Sequence, residues 1–365
     1  MVKRAWWLRL AVVGMLLAAT LWRVEAWLDD RAALESGYLP TGLLPEDARP
    51  WDARAASRYD RWRGRLLFRR IAREATAGTQ TDRDRLDRLL AWTYLHVRPA
   101  SWAAPSRVHN DDPYRTVKRG FGFCDQSAHV FSELARASGF EARLYFLVGA
   151  DGDSPHTVAQ VLLNGKWILV DTLAGRLLEA DGAPLTIDSL RQHPELLEKA
   201  YEGVQPRFLA VTADDFVRGR VPYGGAMPWR RVPETPLSGP EFPVEASESV
   251  LAYDKFRQAM LDGDWARTES LYEELGRIPL QGELAQAAAY HAALAAFEAG
   301  HWARAVARAH QALSSDPDTP WRNSYFELMG LANERRGNVE AALEEYAAAD
   351  LPSTRVRVQK LIHER

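Results

Sequence analysis

The sequence predicts an α+β domain, one helix packed on an antiparallel sheet, followed by an all-α array of repeated helices. Three observations predict it. An amphipathic stretch starts at Cys124 and stops at Gly139, Asn164-Gly165 stands between two apolar runs, and Gly263, Gly300 and Gly337 recur every 37 residues. A chain of 365 residues with 47% hydrophobic residues can bury a sizeable core and divide into two or three domains. Its 46 Lys and Arg against 49 Asp and Glu leave a formal charge of −3, so no global basic field argues for a nucleic-acid partner.

Residues 1–28 read as an export element. Lys3 and Arg4 precede an uninterrupted apolar run from Leu10 to Trp22. Those 13 residues suit the core of a signal peptide, and extending back to Ala5 across Arg9 gives 18, near the lower limit for a membrane span. The expectation is a single N-terminal span anchoring the chain to the cell membrane. The alternative is cleavage near Val24-Glu25-Ala26 and release into the periplasm. In both, the basic residues stay cytoplasmic and the bulk of the chain faces the periplasm or outside.

The segment from about residue 30 to 100 reads as helical. In "RYDRWRGRLLFRR", Tyr59, Trp62, Leu66 and Ile71 recur at roughly helical spacing, and the arginines form a solvated face. In "TDRDRLDRLLAWTYLHVRP", Thr81 and Asp84 make a capping pair, Leu86, Leu89, Leu90 and Trp92 are apolar, and Pro99 stops the helix.

Cys124 is the only cysteine of the chain, so no internal disulfide is possible. Most lone cysteines are small buried hydrophobes. This one opens a helix whose apolar face is Ala128, Phe131, Leu134 and Ala135, which places it where backbone N–H groups and the helix dipole favour a thiolate. A thiolate enzyme also needs a base, and "PHTVAQVLLNGKWILVDT" supplies one. An Asn-Gly hairpin turn pairs Leu163 with Lys166, Val158 with Asp171 and His156 with Leu173. His156 and Asp171 then share a sheet face as diagonal neighbours, within side-chain reach. His129 lies inside the helix and reads as packing or surface.

"GFC" opening a helix that ends "ASGFEARLY", then His156, then "GKWILVD", resembles the transglutaminase-like superfamily, relatives of the papain-type cysteine enzymes, over roughly residues 85 to 180. The resemblance implies a helix-on-antiparallel-sheet fold, a Cys124, His156, Asp171 triad, and Trp167 as the usual core tryptophan. It implies acyl transfer through a thioester, with the Cys124 N–H as one oxyanion donor and Trp102 or Asn110 as candidates for a second. Asp125 after the cysteine and Val158 after the histidine depart from the family pattern and bear on the substrate. No cofactor is implied, and the scattered histidines have no metal-ligand spacing.

Beyond the domain spanning 45–231, the Pro-rich stretch 232–248 reads as a linker. Residues 249–353 form three units, each glycine ending one helix before the next. With Ala305, Ala312, Gly330, Ala342, Tyr346 and Ala349 at small and aromatic positions, they resemble tetratricopeptide repeats. Such repeats imply a protein or peptide partner bound in a groove, and an array that folds apart from the triad domain. The expected function is an exported, membrane-anchored cysteine hydrolase or protease, with an acyltransferase cross-linking envelope material as its close variant. The alternative is a non-catalytic envelope or polysaccharide-assembly scaffold built on the repeats.

Overall fold

The structure, a computed structural model, describes residues 58–99, 113–150, 154–202, 211–221, 248–280, 282–319, 321–349 and 351–363. The expected N-terminal span, Trp102 and Asn110, and all but the last residue of the Pro-rich linker lie outside them. Among the described residues no helix is long and apolar enough to cross a membrane.

Helices α1 (Arg58–Ala75) and α2 (Asp82–His96) lead into a short strand β1 (Arg98–Pro99), and α3 (Pro113–Arg119) into β2 (Phe121–Gly122). Thr81 caps α2 by accepting the Asp84 N–H at 3.0 Å. In α1, Ile71 lies on the buried face as expected, and Leu66 does not. Leu67, Phe68, Ile71 and Ala72 are buried, whereas Leu66 is 45% exposed. At 100° per residue a face built on 67, 68, 71 and 72 excludes position 66.

Helix α4 (Cys124–Ala137) is followed by β3 (Ala142–Phe146), β4 (Thr157–Leu163), β5 (Lys166–Asp171) and β6 (Arg176–Leu177), an antiparallel sheet in the order β3-β4-β5-β6. Asn164 and Gly165 take φ of 51° and 76°, the left-handed backbone that the two-residue turn requires. They set the register Leu163↔Lys166 through Ala159↔Val170. Ala128, Phe131, Leu134 and Ala135 of α4 are fully buried against Leu144, Ala159, Val161 and Ile168 on one face of this sheet. Each large side chain buried there contributes about 1.5–3 kcal/mol.

The opposite face is covered as well. Tyr145, Val158 and Leu169 pack under α5 (Ile187–Gln192), α6 (Leu196–Ala200) and α7 (Ala213–Arg218), with β7 (Glu179–Ala180) and β8 (Ala183–Pro184) between sheet and helices. Burial on both faces explains why "TVAQVLL" and "WILV" read as runs rather than as strict alternation. Trp167 is not in the core. It lies half-buried near the hairpin end of β5, with the Arg143 guanidinium 3.8 Å from its ring centroid.

The C-terminal region is all-helical. Pairs α8 (Glu248–Leu261) and α9 (Trp265–Leu275), α10 (Gly282–Glu298) and α11 (Trp302–Ser315), and α12 (Arg322–Arg335) and α13 (Val339–Ala349) precede α14 (Pro352–His363). Gly263, Gly300 and Gly337 each stand between the helices of a pair with φ between 70° and 77°.

This helical region is docked on the cysteine domain. Phe121 of β2 shares one core with Tyr253, Phe256, Tyr290, Trp321 and Tyr325. The first helix of every pair reaches the domain: Tyr253 of α8 donates to the Arg119 carbonyl at 2.8 Å, Tyr290 of α10 to the Leu95 carbonyl at 3.2 Å, and Ser324 of α12 accepts from Arg98. His96 Nε2 stands 2.6 Å from Glu298 Oε1, and both are largely out of water. The face of α8, α10 and α12 turned inward is thus filled by residues 95–98 and 117–121 of the same chain.

Candidate active site

Cys124 is the first residue of α4, half-buried, with Phe123 at the N-cap position. The entry into the helix is fixed from inside. Gln126 Oε1 accepts the Phe123 N–H at 3.0 Å and the Arg119 guanidinium at 3.1 Å. Arg119, 1% exposed, also donates through Nε to the Phe121 carbonyl at 2.8 Å. The N–H of Cys124 belongs to the first turn, whose donors have no intrahelical acceptor, so it is available in type to an oxyanion.

His156 precedes β4 and is 3% exposed; Asp171 ends β5 and is fully buried. His156 Nε2 lies 2.9 Å from Asp171 Oδ2, the diagonal contact that the hairpin register predicts. With Nε2 on the carboxylate, Nδ1 is the nitrogen left to face Cys124, which acts on the charge of the imidazole. Burial alone would lower the His156 pKa. The Asp171 charge and hydrogen bond, joined by Cys124, outweigh it and push the imidazole up to about 10.

Asp171 is saturated with donors. Its Oδ2 accepts from His156 and from the Tyr201 hydroxyl at 2.7 Å, and its Oδ1 accepts from the N–H groups of Leu173 at 2.9 Å and Ala174 at 3.0 Å. Burial would raise this carboxyl, but His156 and the hydrogen bonds hold it below the usual carboxylate range. Asp125, beside Cys124, is pushed up by burial despite the backbone N–H groups and the Arg119 and His156 charges that oppose it.

The arrangement thus brings Cys124, His156 and Asp171 together, whereas Trp102 and Asn110 lie outside the described residues. His129 is buried and stands 3.8 Å from Glu133, one turn along its own helix. Among the described residues no cluster of His, Cys, Asp or Glu is placed to hold a metal ion. Sequence reasoning missed Gln126 and Tyr201. A glutamine three residues after the N-cap is a capping signal that could have marked Gln126. Tyr201 lies 30 residues beyond Asp171, after two short helices, and nothing in its local sequence marks it.

A family model described as the transglutaminase-like superfamily matches residues 69–172. That stretch is a transglutaminase-like domain. The match ends one residue beyond Asp171 and contains Cys124 and His156. No curated protein matches the chain. Two crystal structures resemble part of it. One, from Cytophaga hutchinsonii, provisionally described as a cysteine protease, is 20% identical over 30% of this chain and 37% of its own, at a TM-score of 0.26. The other, from Parabacteroides distasonis and provisionally described as a protease, is 10% identical over 29% of this chain and 23% of its own, at a TM-score of 0.25. The chain therefore spans about a third and a quarter of those two proteins.

Tyr201→Phe, at a residue beyond the matched stretch, is expected to leave the fold intact and remove one donor from Asp171. Losing a hydrogen bond to a charged group costs about 1.5–3 kcal/mol where it acts. Freed of that bond, Asp171 holds His156 less firmly. Alkylation of Cys124 by iodoacetamide at neutral pH should slow severalfold, and an unchanged rate would show that Tyr201 is only packed there.

Proposed function

We propose that this chain is an exported, membrane-anchored cysteine enzyme that cleaves or transfers an acyl group at an amide bond, with Cys124, His156 and Asp171 as its triad. The observation that carries this reading is the buried His156–Asp171 pair at 2.9 Å, set beside a cysteine on the first turn of a helix. The Cys124 thiolate attacks the carbonyl carbon and the carbonyl π electrons move to oxygen, forming a tetrahedral oxyanion near the Cys124 N–H. The C–N bond then breaks, and His156 gives its proton to the leaving amine. A thioester on Cys124 remains. His156, now neutral, takes a proton from water or an acceptor amine as that group attacks, and the Cys124–acyl bond breaks. Asp171 keeps the imidazole oriented and supports its charge in both steps.

The paired helices of the C-terminal region read, in this proposal, as tetratricopeptide-like repeats that bring a protein or peptide partner to the enzyme. With the inner face of α8, α10 and α12 covered by the chain itself, docking falls to the outer helices.

The test is to trap the acyl-enzyme. Incubation with a peptide library followed by rapid acid quench should leave an acyl mass on the Cys124 peptide, released by hydroxylamine. Adding a primary amine distinguishes the fates of the thioester: amide products mark transfer, acids mark hydrolysis. Turnover that survives Cys124→Ala would sink the proposal. Full-length protein should also sediment with membranes, and a C-terminal reporter should work only outside the cytoplasm; recovery from the cytosol would refute the export claim.

A further inference from the structure

The carbonyls at the end of α3 are held by side chains from the far part of the chain. Arg257 of α8, fully buried, donates through Nη2 to the Val117 carbonyl at 2.8 Å and through Nε to the Lys118 carbonyl at 3.2 Å. Tyr253, one turn earlier on α8 and equally buried, donates to the Arg119 carbonyl at 2.8 Å. Lys118 Nζ meets Asp254 at 3.2 Å on the same helix. A helix leaves its last carbonyls without intrahelical donors, and a cation at its C-terminus also complements the dipole. Here the donors and the cation come from residues about 140 positions away in sequence.

The segment after α3 is the approach to the nucleophile. Gly120 turns the chain, Phe121 and Gly122 pair with Arg98 and Pro99, and Phe123 caps the helix that Cys124 opens. Arg119 ties this approach together from its own side chain, through the Phe121 carbonyl and through Gln126 on the first turn of α4. Main-chain position at residues 117–119 therefore passes directly to the position of Cys124.

We propose that Arg257 and Tyr253 are positioning residues for Cys124, and that the C-terminal helices hold the nucleophile in register with His156. The inference rests on the triad reading above. It makes the helical region part of the active unit, so that a change in the seating of α8 changes the chemistry without touching the triad.

The test compares full-length variants by the rate and pH profile of Cys124 alkylation, with circular dichroism and thermal unfolding as controls. Arg257→Ala is expected to slow alkylation at neutral pH about tenfold and to move its profile towards that of a free peptide thiol. Arg257→Lys, which keeps a cationic donor on α8, should restore most of the loss. Tyr253→Phe removes one hydroxyl with no change of charge and should slow alkylation about threefold, so it decides the matter should Arg257→Ala fail to fold. Arg308→Ala removes the contacts of Arg308 with Glu269 at 2.6 Å and with the Ala292 carbonyl at 3.0 Å, away from α3, and serves as the destabilised control with an unchanged profile. Folded Arg257→Ala and Tyr253→Phe proteins with the wild-type profile, or a profile moved equally by Arg308→Ala, would overturn the inference. The two readings fail separately. If His156→Ala also alkylates as wild type does, the triad reading has failed; if His156→Ala is slow while the α8 variants are normal, only the positioning role has failed.

Discussion

His156→Ala is expected to slow alkylation of Cys124 at neutral pH by roughly ten- to thirtyfold and, on the proposed triad, to lower acyl-transfer turnover by about 10³-fold or more. The first figure comes from ionisation. An unassisted thiol is only a few per cent thiolate at neutral pH, and a fully formed thiolate gains most of the difference, less a loss of intrinsic nucleophilicity. The second comes from the loss of the proton carrier for both halves of the reaction. Since Asp171 and Cys124 push His156 up to about 10 against its burial, the imidazolium persists through the neutral range. The wild-type alkylation rate should accordingly exceed the His156→Ala rate throughout the neutral range. Stability carries the same signature. A group with a raised folded pKa stabilises fully below its unfolded value near 6.5 and loses that contribution as pH rises towards 10. Urea unfolding of wild type should show a fall over this window that His156→Ala lacks, at most about 1.4 kcal/mol per pH unit. Equal alkylation rates for the two proteins would remove the basis for assigning His156 as the base.

How the site could be read from sequence depends on which of its contacts are local. Asn164-Gly165 demands one turn geometry, the turn demands one register, and the register puts His156 next to Asp171 before any tertiary contact is considered. Helix α4 was legible because its stop at Gly139 and its apolar face are both short-range signals. The misplacement of Leu66 shows the limit of periodicity when adjacent leucines compete for one face. Leu66 and Leu67 are equivalent in type, and only packing against α4 and its neighbours selects Leu67.

The contacts that join the two parts of the chain had no sequence signal. Arg257, His291, Glu298 and Ser324 are polar residues that sequence alone would assign to solvated positions on α8, α10 and α12, yet Arg257 and His291 are fully buried. The partners of Arg257, Glu298 and Ser324 lie more than a hundred positions away, and hydrogen-bond complementarity at that distance leaves no periodic trace. The same holds for Tyr201 and Asp171. A glycine-ended helix repeat predicts the pairs well, as Gly263, Gly300 and Gly337 show, but says nothing about which face meets another domain.

The second large effect falls at that junction. Gly120 has φ of 79°, and a Cβ built on it would stand 2.4 Å from His291 Cε1 and 3.2 Å from Arg257 Cζ. His291 cannot easily give way. It is fully buried, with Nδ1 2.7 Å from the Ala287 carbonyl of its own helix and its ring edge-on to Tyr290 at 5.3 Å between centroids and to Trp321 at 5.9 Å. Gly120→Ala therefore meets two penalties, the left-handed backbone at about 1–2 kcal/mol and overpacking of a filled interface at about 1–3 kcal/mol. The expected loss is about 2–5 kcal/mol, readable as a lowered urea midpoint in equilibrium unfolding. Gly78, with nearly the same φ of 75° and open space around its Cβ position, separates the two terms: Gly78→Ala should cost only the backbone share. If Gly120→Ala costs no more than Gly78→Ala, α10 does not press on the Gly120 turn, and the close docking of helices on the approach to Cys124 is wrong. If the larger loss is found and His291→Ala in the Gly120→Ala background recovers part of it, the clash is located at the imidazole, at the point where the helical region meets the chain four residues before Cys124.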